Sequence, residues 1–127
     1  MADMTTPLRR VRHLGAAHDG TSHFWRQRLT AAANVPLVIG FIILIVVVVG
    51  RPRSEVVAIL GSPFVALFLI LMIVSISIHM RIGMQVIIED YVHGEGLRVT
   101  TLAASTFFAV AMAAVSIFAI LKLALGG

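Results

Sequence analysis

Three long apolar stretches separated by short polar ones dominate the chain. The first runs from about Leu29 to Val49, close to the twenty or so residues that cross about 30 Å of hydrocarbon. Trp25 stands at its start, where an interfacial aromatic is favoured, and Thr21 or Ser22 offers a cap for a helix beginning near His23. Pro36 lies inside the run and predicts a kink, tolerable where neighbouring groups recover the freed carbonyl. Gly50 to Glu55 reads as a turn and Val56–Leu60 as an apolar connector. Gly61-Ser62-Pro63 is a helix-start signal. The second helix then runs from about Pro63 to Tyr91, long enough for its C-terminal end to tilt or protrude into the interface. His93-Gly94-Glu95-Gly96 closes it, and a third helix spans about Val99 to Leu125. Ser105, Ala109, Ala113 and Ser116 share one face of that helix, a spacing that lets membrane helices approach closely. The pattern predicts an all-α membrane protein with three transmembrane helices (about 25–49, 63–91 and 99–125) behind a polar segment, 1–24.

Composition agrees with the pattern. Of 127 residues, 59% are hydrophobic and 13% charged, against about 25% charged in soluble domains, and the mean hydropathy is +1.01. The net charge of +4 does not indicate a nucleic-acid binder, because the basic residues cluster in the N-terminal block, where they act as a topology signal. Arg9, Arg10, Arg12, Arg26 and Arg28 outweigh Arg51 and Arg53 of the first loop, which predicts a cytoplasmic N-terminus. Residues 1–24 carry no apolar h-region and include Asp3 and Asp19, so they read as a retained cytoplasmic tail rather than a signal or transit peptide. With no cysteine, this chain makes no disulfide, thiolate metal site or iron–sulfur ligation.

The ionisable residues within apolar sequence are concentrated between Ser75 and His93. On a helix, Ser75, His79, Gly83, Val86 and Asp90 fall on one face, and such a stripe must meet protein, water or a cofactor. His79 is about 18 Å from Tyr91 along a helix, which suggests a position near mid-bilayer. A neutral imidazole there ligates a haem iron or bonds to a neighbouring helix. Gly83 leaves room for a flat macrocycle or a close helix. Arg81 points to another face and snorkels or forms an ion pair. Asp90 and Tyr91 stand where the helix leaves the membrane. A phenol there donates to a carbonyl such as that of a quinone, with a carboxylate beside it for orientation or proton transfer, or it is an aromatic-belt residue. Acids at a helix C-terminus oppose its dipole, and Arg28, expected on the same membrane face, or a partner subunit is a source of the compensating charge. His13, His18 and His23 lack metal spacing, and Lys122 reads as a snorkelling residue.

The stretch His79-Met80-Arg81-Ile82-Gly83-Met84-Gln85-Val86-Ile87-Ile88-Glu89-Asp90-Tyr91 resembles the small hydrophobic membrane-anchor (D-type, cytochrome b556) subunit of succinate dehydrogenase. That family has three transmembrane helices and, on the second, a histidine followed by glycine at plus four and Asp-Tyr at plus eleven and plus twelve. The resemblance implies half of a heterodimeric haem-binding bundle in the bacterial inner membrane. His79 would be one axial ligand of haem b, the other coming from a C-type cytochrome b anchor subunit. Arg28 would lie near the haem propionates, and Tyr91 with Asp90 would form part of the ubiquinone site. FAD and the iron–sulfur clusters would belong to the flavoprotein and iron–sulfur partner subunits. The family varies at the position of Arg81, so no role is carried over to it. Two other readings remain at this stage: a quinol:fumarate reductase anchor, and a non-redox structural or transport protein.

Overall fold

The computed structural model describes residues 16–126, and among them every element is helical. Helix α1 spans Ala16–Val48, α2 Arg53–Leu60, α3 Pro63–Tyr91 and α4 Glu95–Ala124. Three of these are long and apolar enough to cross a membrane, over Thr21–Val48, Pro63–Tyr91 and Glu95–Ala124. The basic cluster (Arg9, Arg10, Arg12) and His13 lie outside the described residues, and the side chain of His18, within the first turn of α1, is not described.

Local chemistry accounts for each boundary. Beyond α1, Gly50 takes φ +77°, the left-handed conformation that glycine adopts without penalty. Arg51 then folds back, its Nε donating to the carbonyl of Val47 at 2.6 Å, which satisfies one of the helix's orphan acceptors. The sequence suggested a turn and connector over 50–60, but the structure forms α2 there. Pro52 precedes it with φ −59°, Glu55 sits in its first turn, and an Arg51–Glu55 ion pair of 3.2 Å braces it. Proline beside an N-terminus and an acid in the first turn are both helix-start signals. At the next corner, Ser62 leads into α3 with Pro63 in the first turn. Helix α4 starts at Glu95, ahead of the position near 99 expected from hydropathy, with an acid in its first turn and Lys122 in its last. Both charges favour the helix dipole.

The large helices pack as a layer with α3 in the middle. It carries Ala66, Leu69, Met72, Ile82 and Ile88 of the buried set, and α4 adds Ala109 and Ile120. The tightest cluster joins Ala66, Leu69, Met72 and Ile120 to Leu37, Phe41 and Leu44 of α1 and to Leu60. It occupies the half of the bundle that also holds α2. Ala109 is buried, and Ser105, Ala113 and Ser116 are half-buried, so the small-residue face of α4 is drawn into the bundle. Elsewhere large apolar side chains stay exposed, such as Phe64 at 88% and Phe107 at 75%. Such a surface suits lipid or a partner rather than water.

Helices α1 and α3 run antiparallel in a near-constant register. Gly40 meets Phe68, Asn34 meets Ser75, Thr30 meets His79 and Gln27 meets Gly83. Each step forward on α1 is thus about one step back on α3. Helix α1 begins at Ala16, within the stretch expected to be a loop.

Candidate functional site

Two polar rungs join α1 and α3 inside the apolar layer. The Ser75 hydroxyl donates to Asn34 Oδ1 at 2.7 Å. One turn nearer the end of α3, Thr30 Oγ1 lies 3.1 Å from His79 Nδ1. The sequence reading drew Ser75 and His79 from α3 but passed over Thr30 and Asn34. Their signal was available, since the two are separated by four residues within an apolar run and so share a helix face.

His79 is half-buried and lines an open groove with Ala31, Asn34, Val35, Val38 and Ile39. Among the described residues, only Nδ1 of its ring has a hydrogen-bond partner. The α1 face that lines this groove continues, by steps of three and four, through Arg28 to Phe24. The Arg28 guanidinium stacks 4.9 Å from the Phe24 ring centroid, and Phe24 meets Trp25 edge to face at 6.2 Å. The α1–α3 register sets Arg28 level with Ile82, within a turn of His79. It does not set Arg28 beside Asp90, which lies about eight residues, or about 12 Å, further along α3. The compensating charge for Asp90 therefore does not come from Arg28, although both stand toward the same end of the bundle.

Gly83 lies on the α1-facing side of α3, opposite Gln27. A Cβ at Gly83 would meet Gln27 Nε2 at 3.7 Å. Gln27 Oε1 beside it is buried without a hydrogen-bond partner among the described residues.

Asp90 and Tyr91 are both exposed, Tyr91 at 78%, and among the described residues neither side chain has a hydrogen-bond partner. Glu89 accepts from Gln85 Nε2 at 2.9 Å. At about 100° per residue, Asp90 lies about 20° from the direction of His79, and Tyr91 about 120° away. The phenol thus leaves the face on which the histidine lies, while the carboxylate stays on it. Arg81 is on the other side of α3, where its Nε reaches Thr106 Oγ1 at 3.5 Å in a groove with Gln85, Ser105 and Phe107. His23 and His93 are exposed. Among the described residues, no three His, Cys, Asp or Glu side chains form a cluster able to hold a metal ion, so His79 is a single donor rather than part of a chelate.

Residues 2–120 match the family model for the succinate dehydrogenase/fumarate reductase transmembrane subunit. The chain is 31% identical over 121 residues to the succinate dehydrogenase hydrophobic membrane anchor subunit of Paracoccus denitrificans, covering 95% of this chain and 93% of that protein. It is 29% identical to the membrane anchor subunit of Reclinomonas americana over 71% of this chain and 78% of that protein. The corresponding subunit of Rickettsia bellii is 29% identical, over 85% of this chain and 86% of that one. No solved structure matches the chain significantly. A multi-pass helical membrane protein matched along nearly its whole length, this chain belongs to the succinate dehydrogenase/fumarate reductase transmembrane subunit family.

Proposed function

We propose that the chain is a membrane-anchor subunit of succinate:ubiquinone oxidoreductase, holding one side of haem b and contributing to the ubiquinone site. The observation that carries the haem reading is the groove at His79. It offers one imidazole with a ring nitrogen unengaged within the chain, walled by Ala31, Val35, Val38 and Ile39. A neutral imidazole in apolar surroundings is a fitting axial donor. Arg28, on the same α1 face and about one turn toward the end of the bundle, would pair with a propionate. The second axial ligand would come from a C-type cytochrome b anchor subunit packed over the open groove. Haem b supplies one-electron transfer when bound.

The quinone reading rests on Tyr91 and Asp90, whose polar atoms are unengaged within the chain. The Tyr91 hydroxyl would donate to a ubiquinone carbonyl, and Asp90 would hold or relay a proton from the aqueous side. Electrons from succinate would arrive through the flavoprotein and iron–sulfur subunits, which carry FAD and the clusters and dock at the cytoplasmic end, where the N-terminus lies. The membrane is the bacterial inner membrane. The family model covers fumarate reductase subunits as well. The three relatives described above are succinate dehydrogenase subunits, which favours succinate oxidation as the working direction.

A reduced-minus-oxidised optical spectrum of the purified complex tests the haem assignment. A b-type band is expected in the wild type and its loss in His79→Ala. A normal band in that variant rejects His79 as ligand, and no band in the wild type rejects the haem reading altogether. For the quinone site, Tyr91→Phe is expected to slow quinone reduction while succinate oxidation by an artificial acceptor stays unchanged. Equal quinone rates would remove the role of the phenol.

A further inference from the structure

Thr30 makes more contacts than one hydroxyl proton can serve. Its Oγ1 lies 2.8 Å from the carbonyl of Arg26, 3.2 Å from that of Gln27 and 3.1 Å from His79 Nδ1. A hydroxyl has one proton to give and two lone pairs to receive. The distances indicate where the proton goes. An O–H···O bond centres near 2.7–2.8 Å and an N–H···O bond near 2.9–3.0 Å. The 2.8 Å contact to Arg26 fits the hydroxyl as donor, in the back-bond to position i−4 that threonine makes within helices. A lone pair of Oγ1 is then left for His79, and the 3.1 Å contact fits an N–H donated by the ring.

We propose that Thr30 is a positioning residue that fixes the tautomer and orientation of His79. The imidazole is held with its proton on Nδ1, so Nε2 keeps its lone pair as the ring nitrogen available for ligation. A metal-ligating histidine commonly donates its other N–H to a fixed acceptor, which orients the ring and raises the basicity of the ligating nitrogen. Here the acceptor is a side chain whose own proton is committed to its helix backbone. The Asn34–Ser75 rung one turn away holds α1 and α3 at the spacing that this contact needs. The proposal deepens the haem reading and rests on it.

The test uses the purified complex carrying Thr30→Val, which replaces the hydroxyl with a methyl of similar size, beside Thr30→Ser, which keeps the hydroxyl. Haem retention and the haem midpoint potential are measured by optical titration. Thr30→Val is expected to weaken haem binding about 10-fold or more and to raise the potential, because a less basic imidazole stabilises ferric iron less. Thr30→Ser is expected to match the wild type. Where Thr30→Val hinders assembly, Thr30→Ala gives the same readout. Wild-type haem retention and potential in the hydroxyl-free variant would overturn the proposal while leaving haem ligation by His79 intact. Equal losses in Thr30→Val and Thr30→Ser would also overturn it, since the effect would then follow the change in shape. A wild-type complex with no b-type band fails at the earlier step and takes the haem reading with it.

Discussion

Gly61 stands at the corner between α2 and α3, and a methyl group there would have little room. A Cβ would fall 2.8 Å from the carbonyl oxygen of Leu123 and 3.0 Å from that of Val57, with the carbonyl carbon of Leu123 at 3.4 Å. All three are backbone atoms, so no side-chain rotation relieves the contact. The backbone at Gly61 has φ −82° and ψ −6°, which alanine adopts freely, so the cost is one of space alone. Relief requires the C-terminal turn of α4 to move away from the corner, at an overpacking cost of about 1–3 kcal/mol. That corresponds to roughly a 5- to 150-fold loss in the folding equilibrium. Gly40 provides a useful contrast. A Cβ there would come within 2.7 Å of Phe68 Cζ, but this is the tip of a ring that can tilt, and alanine recovers up to about 1 kcal/mol in a helix interior. At Gly96 a Cβ meets nothing within 4 Å. Unfolding of the purified complex by heat or by graded denaturing detergent should rank the variants with Gly61→Ala least stable, Gly40→Ala near the wild type and Gly96→Ala at or above it. If Gly61→Ala unfolds together with Gly96→Ala, the close approach of α4 to the corner is wrong.

Further predictions follow from the two rungs and the two polar ends. In a double-mutant cycle, Asn34→Ala and Ser75→Ala should show coupling of about 0.6 kcal/mol, and no more than about 1.7, measured by unfolding of the complex. Arg28→Gln should shift the haem spectrum or potential and leave the KM for quinone unchanged, because Arg28 is level with Ile82 and about 13 Å short of Tyr91; a quinone defect with normal haem would refute the register. Arg51→Ala should cost less than about 1 kcal/mol, since its ion pair is exposed and exposed pairs contribute little, and salt titration of stability should show only a small dependence.

The three long helices were legible because hydrocarbon demands some twenty apolar residues in a row, a signal that few other structures produce. Pro63 and Tyr91 were readable as ends of α3 because proline and the Glu89-Asp90-Tyr91 cluster both mark its limits. Helix α2 was missed because eight residues have too little hydropathy signal, although Pro52 and Glu55 carried the capping chemistry. At the site, His79 was conspicuous as an ionisable group in apolar sequence. Thr30 and Asn34 were not, because hydroxyl and amide groups are tolerated in membrane helices and their importance depends on what stands opposite. Pairing across α1 and α3 is a matter of register, which hydropathy does not encode. For that reason the residues alone grouped Arg28 with Asp90 by membrane face, while only the resemblance set it on the side of His79, within a turn of which the register places it.

The α1–α3 register also protects against a particular error. The two rungs are one helical turn apart on both helices, so a slip of one turn would set Asn34 against His79, or Thr30 against Ser75. Either slip keeps one pair of hydrogen-bonding side chains and gives up the other, so the rungs alone distinguish the alignments only by one polar pair. Gly40 and Phe68 add to that distinction. After such a slip the ring would face Leu44 or Pro36 instead of glycine, and a ring that must tilt for a single methyl would have to accommodate a much larger side chain. The slip would also move Arg28 by about 5.4 Å relative to His79. The glycine thus acts as a proofreading notch: the polar pairs bring the helices together, and the fit of Phe68 against Gly40 adds to the preference for the native alignment over a slip in either direction.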